Sequence, residues 1–446
     1  MLDRESLPLL GEALEVLEAG FAELPAFTPD VDVAAVRAVL LEVARRLQDN
    51  FPYPHPLYAG QMLKPPHAVA RMAYALALWM NPNNHAVDGG RASVAMEREA
   101  VAHIARMWGW ERHAGHLTGG GTMANLEALW IAGEAMGRRT VLASAQAHYT
   151  HRRACALMGV PFETVAVDRS GRMDCTALEA RLKRGDVGTV VATAGTTAVG
   201  SVDPLPDLLA LRARYGFWLH CDAAYGGYFV LADNLAPETR AAFDVLSQVD
   251  SVVVDPHKHG LQPYGCGCVL FRDADVVRFY RHDSPYTYFT QAEWHPGEIS
   301  LECSRAGAAA VALWATQQLL PCVPGGAFAG MLSDCRRAAL ALFRLLERDG
   351  RFLVVWEPEL DILVWSARAG SAGEASRRNR RIFDAAARRQ LHLALVRLPA
   401  DLVRDRWSLE WDQDTVLCLR SCLMKPEHAG YVARIHALLC EAADAG

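Results

Sequence analysis

Between Gly115 and Phe271 the chain alternates short apolar runs with stretches of helical character, and this alternation constrains the fold more than any other feature. The runs are TVLAS (140–144), FETVAV (162–167), VGTVVATA (187–194), FWLHCDAA (217–224), SVVVD (251–255) and CGCVLF (266–271). Helical stretches, including 123–136 and 205–215, separate most of them. Near-continuous apolar strands with intervening helices predict an α/β fold whose mostly parallel sheet is covered on both faces. In such sheets ligands bind outside the carboxyl ends of the strands. The least ordinary residues of the chain fall there.

A chain of 446 residues is long for one hydrophobic core, which favours two lobes. Ahead of the strands, DVDVAAVRAVLLEVARRL reads as an amphipathic helix with Asp30 or Asp32 as its N-cap. NFPYPHPLYAG (50–60) carries three prolines and reads as an extended arm, and a further helix is expected over about 96–108. After about Pro321, helices over 330–347, 375–390 and 427–443 alternate with LDILVWSA and TVLCLRSC, as in a smaller α+β domain. The expected division is an N-terminal helical segment and arm (1–60), a large domain (61–320) and a small C-terminal domain (321–446), with the Pro/Gly-rich LPCVPGGAF at the second boundary.

Several function classes drop out on composition. A net charge of −6 without a basic run of five or more argues against nucleic acid as a partner. No apolar run approaches membrane-spanning length, and the N-terminus lacks the basic start and apolar stretch of a signal peptide. Sixteen histidines and eleven cysteines raise the idea of a metal module, but they are scattered and no local cluster has ligand spacing, so no metal is expected. The cysteines read as reduced core residues of a cytoplasmic protein.

Four features sit at strand ends. LTGGGTMANLEAL (117–129) puts three glycines before a helix, a place where backbone amides and the positive helix end can cradle a phosphate; it is also an ordinary glycine turn. AQAHYTHRRA places His148 after a strand, either as a satisfied loop histidine or as a flat ring for stacking. In HCDAAYGG, Asp222 ends an apolar strand and needs a partner there, which a helix cap, a salt bridge or a protonated ring nitrogen would supply. In DSVVVDPHKHGLQPYG, Lys258 follows a strand at a turn, flanked by His257 and His259. It is either a surface residue or an amine whose desolvation frees it to attack a carbonyl. Taken together, a phosphate cup, a stacking ring, a strand-end aspartate and a strand-end lysine fit pyridoxal 5′-phosphate.

With HCDAAYGG, DPHKHG, GGGTMANLEAL, SAQAHYTHRRA and TAGTTAVGSVDP, the chain resembles the group II pyridoxal-phosphate-dependent decarboxylases of fold type I, which include the aromatic amino acid, tyrosine, glutamate and aspartate decarboxylases. The resemblance covers roughly 58–305. It implies Lys258 as the Schiff-base lysine, Asp222 as the partner of the ring nitrogen and His148 as the stacking residue, with Ala224 on the opposite ring face. It further implies Gly121, Thr122 and His257 at the phosphate and Thr196 near the ring substituents. Ser304, in SRAG, would reach a neighbouring subunit's phosphate, which implies a homodimer with shared sites. Arg420, in VLCLRSC, would receive the substrate carboxylate by a two-pronged guanidinium contact. The loop HDSPYTYFTQAEWHPGE would return a proton through Tyr286 or Tyr288, with Tyr286 preferred.

The reaction so implied is α-decarboxylation of an L-amino acid to an amine and carbon dioxide. The alternatives on the same site are a carbon–carbon lyase, an aminotransferase or an oxidative deaminase. Tyr53, Tyr58, Trp79 and Trp294 are candidates for an aromatic substrate pocket, though core packing explains them equally well.

Overall fold

The protein is described by a computed structural model covering residues 2–280 and 299–445. The N-terminal segment forms α1 (Leu7–Ala19) and α2 (Val33–Leu47), neither of which has a buried residue. Of the two candidate caps it is Asp32 that closes α2, its carboxylate accepting from the Ala35 amide at 2.9 Å. The chain continues through α3 (Ala68–Leu78) and α4 (Arg91–Met107), which starts five residues ahead of the expected helix.

The large sheet is built from β1 (Ala114–Thr118), followed by α5 (Gly121–Met136), β2 (Thr140–Ser144), α6 (Thr150–Met158), β3 (Phe162–Val165), α7 (Cys175–Leu182), β4 (Val187–Thr193), α8 (Leu205–Tyr215), β5 (Trp218–Asp222), α9 (Pro237–Asp244), β6 (Ser251–Val254) and β7 (Gly267–Phe271). The strand order is β1-β7-β6-β5-β4-β2-β3. Pairs β3/β2, β2/β4, β4/β5 and β5/β6 are parallel. These strands are buried along most of their length, because helices cover both faces and leave no wet side. Only β3, at the sheet edge, exposes side chains freely.

At the other edge the sheet reverses. Strand β7 runs antiparallel to β6 and to β1. The link from β6 to β7 contains turns and no helix, so it returns the chain alongside rather than crossing over. That return is the stretch that carries Lys258. Strand β1, with its Gly115 and His116, was not among the expected strands. It pairs with β7 in register from Ala114↔Phe271 to Thr118↔Gly267, and Gly115 is required there because a Cβ would lie 2.5 Å from the Val269 carbonyl.

The C-terminal part comprises α10 (Gly307–Leu319), α11 (Ala327–Arg348), β8 (Phe352–Val354), β9 (Ile362–Ala367), α12 (Ala372–Arg388), β10 (Ala394–Pro399), α13 (Ala400–Val403), β11 (Thr415–Cys422) and α14 (Val432–Asp444). Its sheet, β10-β11-β9-β8, is antiparallel throughout. One apolar cluster runs from beneath the large sheet to Val364, Val416 and Cys418 of this second sheet; another fills the space between β9, α11, α12 and α14. Among the described residues no helix is long and apolar enough to cross a membrane.

Candidate active site

A cleft of about 580 Å³ opens at the carboxyl ends of β4, β5 and β6, beside the start of α5. Asp222 forms its floor. As the last residue of β5 it is 5% exposed, and both its oxygens are engaged: Oδ1 accepts from the Ala224 amide at 3.1 Å and Oδ2 from His151 Nε2 at 3.0 Å. Burial alone would raise its carboxyl pKa. The His151 hydrogen bond and charge, with help from Lys258, reverse this and hold it well below the usual carboxylate range. The cleft therefore keeps a fixed negative charge at its deepest point.

Lys258 stands in the β6–β7 return, its Nζ 3.0 Å from Asp255 Oδ2. Asp255 Oδ2 also faces His257 Nε2 at 3.5 Å. His257 leans on Tyr264 with ring centroids 4.9 Å apart, and burial lowers its basicity. Three buried polar atoms around the cleft lack a hydrogen-bond partner: His257 Nδ1, Asp255 Oδ1 and Thr193 Oγ1. Buried orphans of this kind are costly without a ligand.

The opposite wall is the start of α5. Gly120 has φ +151°, a backbone state suited to glycine, and it turns the chain into the helix. A Cβ on Gly121 would lie 2.7 and 2.8 Å from the Asp255 oxygens, so this wall packs directly against the lysine's counter-ion. The first amides of α5 have no intrahelical acceptor. Thr122 and Thr150 join them with hydroxyls 3.2 Å apart, while Glu302 accepts from the Gly119 amide at 2.8 Å. His148 lines the cleft between these walls. Its Nδ1 accepts from the Thr150 amide at 3.3 Å, and burial, reinforced by Lys258, lowers its pKa so that a neutral flat ring faces the cavity.

The structure thus brings Lys258, Asp222, His148, Ala224, Gly121, Thr122 and His257 to one cavity. Other expected residues lie elsewhere. Thr196 does not line the cleft; it is fully buried, and its hydroxyl accepts from the Ser201 amide at 3.0 Å because the loop after β4 closes on itself there. Thr193, Gly195 and Thr197 face the cavity in its stead. Arg420 lies behind that loop at 5% exposure, donating to the Thr197 carbonyl at 2.8 Å and to Gln61 Oε1 at 2.6 Å. Ser304 accepts from Asn83 Nδ2 at 3.1 Å and is not part of this chain's cleft. Tyr286, Tyr288 and Trp294 fall outside the described residues. Of the aromatic candidates, Tyr53 and Tyr58 pack edge to face at 4.9 Å, whereas Trp79 is 60% exposed.

The donor chemistry suits a planar cofactor carrying a phosphate: an amine at one end, a buried anion on the floor, a flat ring above, and helix-start amides, hydroxyls and an orphaned imidazole nitrogen for an anion. Residues 127–368, more than half the chain, match the family described as the pyridoxal-dependent decarboxylase conserved domain. The chain belongs to the pyridoxal-dependent decarboxylases.

Among its relatives, a probable L-tyrosine/L-aspartate decarboxylase of Methanothermobacter thermautotrophicus is 29% identical over 69% of this chain and 82% of its own. An L-2,4-diaminobutyrate decarboxylase of Rhizobium meliloti is 32% identical over 53% of this chain and half of its own. The crystal structure of Oryza sativa TDC with PLP and tryptamine shares the fold, with a TM-score of 0.80 at 19% identity over 100% of this chain and 99% of that one. The pyridoxal-dependent decarboxylase described here therefore uses pyridoxal 5′-phosphate and removes the α-carboxylate of an L-amino acid, giving the amine and carbon dioxide. Sequence reasoning missed two members of its site. His151 lay within the quoted stretch AQAHYTHRRA, but its bond to Asp222 spans 71 residues. Asp255 was visible as the acid three residues before Lys258, a separation that one turn of backbone closes.

Proposed function

We propose that in this decarboxylase Lys258 Nζ holds the cofactor, that Asp222 keeps the proton on its ring nitrogen, and that His148 packs against its ring with Ala224 beneath. The observation that carries the reading is the convergence of an amine, a buried anion and a neutral imidazole on one cleft that ends at a helix start. When bound, pyridoxal 5′-phosphate supplies an electron sink for the pair left by departing carbon dioxide. The chain's own residues do the rest. Asp255, 3.0 Å from Lys258 Nζ, pairs with the lysine and holds its side chain in the cleft. Asp222, held ionised by His151, is a preorganised charge that needs no rearrangement as the reaction proceeds. Gly121, Thr122 and His257 bind the phosphate, with Thr150 as a further hydroxyl.

Arg420 serves the substrate carboxylate by exchanging a partner. Its Nη2 rests on the amide of Gln61, an exposed residue, and a carboxylate in place of that amide oxygen keeps the guanidinium paired. Tyr286 returns the proton to the product carbon, on the strength of its position in the sequence. The assembly is a homodimer: α2 exposes Val33, Val36, Leu40, Val43 and Leu47, a stripe that a second copy would cover, and Ser304 then serves the neighbouring site. Eleven unpaired cysteines, most of them buried, fit a reducing cytoplasm.

The test is borohydride reduction of the cofactor-loaded chain followed by peptide mass spectrometry, with carbon dioxide release measured alongside. Phosphopyridoxyl on Lys258, together with loss of both the adduct and carbon dioxide release in Lys258→Ala, is expected. An adduct on another lysine, or undiminished turnover in Lys258→Ala, overturns the assignment.

A further inference from the structure

Outside the cleft, three side chains of mixed donor type meet where α11 ends. Asp349 follows α11, and His436 and Cys440 lie one turn apart on the same face of α14. Their donor atoms form a closed triangle: His436 Nε2 to Asp349 Oδ2 is 3.2 Å, Cys440 Sγ to Asp349 Oδ2 is 3.3 Å, and Cys440 Sγ to His436 Nε2 is 3.6 Å. Tetrahedral zinc has bonds of about 2.0–2.1 Å to nitrogen and oxygen and about 2.3 Å to sulfur, so the edges of its coordination tetrahedron come to about 3.3 Å between N and O and about 3.6 Å to S. The observed triangle is close to one face of that figure.

Hydrogen bonding to the carboxylate accounts for two of the three edges. The third edge joins positions four apart on one face of α14, so the helix itself presents the sulfur and the imidazole nitrogen side by side to the same carboxylate. Neighbouring groups are arranged as supports for a metal ligand. Arg351 holds Asp349 Oδ1 through Nε at 2.9 Å and through its backbone amide at 3.1 Å, which fixes the carboxylate plane. Arg351 Nη2 also touches Oδ2 at 2.9 Å, and a cation bound at that oxygen takes the place of the protons that His436 Nε2 and Cys440 Sγ direct at it. Asp349 and His436 are largely buried, with side-chain exposures of 10% and 21%, and Cys440 is half-buried, so the fourth corner opens to solvent.

We propose that Asp349, His436 and Cys440 form a zinc site that staples the end of α11 to the C-terminal helix, independent of the decarboxylation chemistry. One sulfur, one imidazole nitrogen and one carboxylate oxygen are a donor set for tetrahedral Zn²⁺ rather than for Mg²⁺ or Ca²⁺. On binding, the Cys440 thiol gives its proton to solvent and the thiolate enters the metal's coordination, with water completing the shell. No local sequence pattern announces the site, since Asp349 and Cys440 stand 91 residues apart in the chain.

The experiment uses the full-length, untagged, cofactor-loaded chain. It is stripped with chelator and dialysed against buffered micromolar free zinc, and zinc per chain is counted by plasma mass spectrometry. About one equivalent is expected in the parent chain, with at least a tenfold loss in Cys440→Ser and in His436→Ala. Zinc should raise the melting temperature of the parent only, while carbon dioxide release stays unchanged in both variants. Asp349→Asn, which keeps the shape of the side chain, replaces either variant that fails to fold. No zinc above the dialysis blank in the parent overturns the proposal. So does undiminished zinc in the variants, which would put the ion elsewhere.

Discussion

Replacing His151 by Phe is the sharpest test of how the site is charged. His151 is fully buried, and its Nε2 donates to Asp222 Oδ2 at 3.0 Å. Burial favours protonation of Asp222, and His151 is the main influence opposing it. A hydrogen bond to a charged group is worth about 1.5–3 kcal/mol. At about 1.4 kcal/mol per pH unit, its loss alone should raise the Asp222 carboxyl pKa by about one to two units. The sign follows from the depressed starting value: the carboxylate is the working form, and it is lost as pH falls through its pKa. Because the substitution removes the His151 charge as well as the hydrogen bond, burial is left opposed mainly by Lys258, and an acid limb of the kcat profile should rise into the assayed pH range. At a pH well above that limb the rate should fall less than at pH 5. Phe fills the space, so a fold defect would show separately as a lowered melting temperature. The assay is carbon dioxide release from pH 4 to 9 on cofactor-saturated enzyme, for the parent and His151→Phe. An unmoved acid limb in a folded, cofactor-loaded variant would refute the claim that His151 sets the charge of Asp222.

Two further outcomes follow from contacts around the site. Gly121→Ala should destabilise the fold by about 1–3 kcal/mol, because the new methyl meets the Asp255 oxygens at 2.7 and 2.8 Å and overpacking of this kind carries that cost; an unchanged melting temperature would count against the packing described. Lys425 is 3% exposed, and burial lowers its pKa to about 8 from the usual 10.5. Between those values the unfolded chain binds more protons than the folded one, so stability rises with pH across that window, and at neutral pH the buried ammonium costs about 3 kcal/mol. Lys425→Met also forfeits the 2.6 Å bond to the Tyr58 carbonyl, worth about 1.5–3 kcal/mol from a charged donor, so the melting temperature at pH 7 should change little while the rise between pH 8 and 10.5 flattens. A rise between pH 8 and 10.5 that persists in Lys425→Met would contradict this.

The sequence alone determined the parts whose cause is local. Six strands of the large sheet were legible because each is a short apolar run between helical stretches, and their observed limits agree to within a residue or two. The glycine turn before α5, the aspartate ending β5 and the lysine after β6 were legible for the same reason: backbone freedom, strand ends and helix starts are properties of a few consecutive residues. The tertiary structure decided what depends on distant segments meeting. The sheet edge reverses through β7 and β1, and β1 gave no strand signal because its glycine is dictated by close approach to β7 rather than by propensity. Thr196 is withdrawn from the cavity by a loop that closes on Ser201, and Arg420 reaches the region only through Thr197 and Gln61, on segments more than 200 residues away. The partner of Asp222 is equally a matter of packing. Whether a buried carboxylate is charged depends on which group lies 3 Å from it, and the register of α6 against β5, not any run of consecutive residues, makes that group His151.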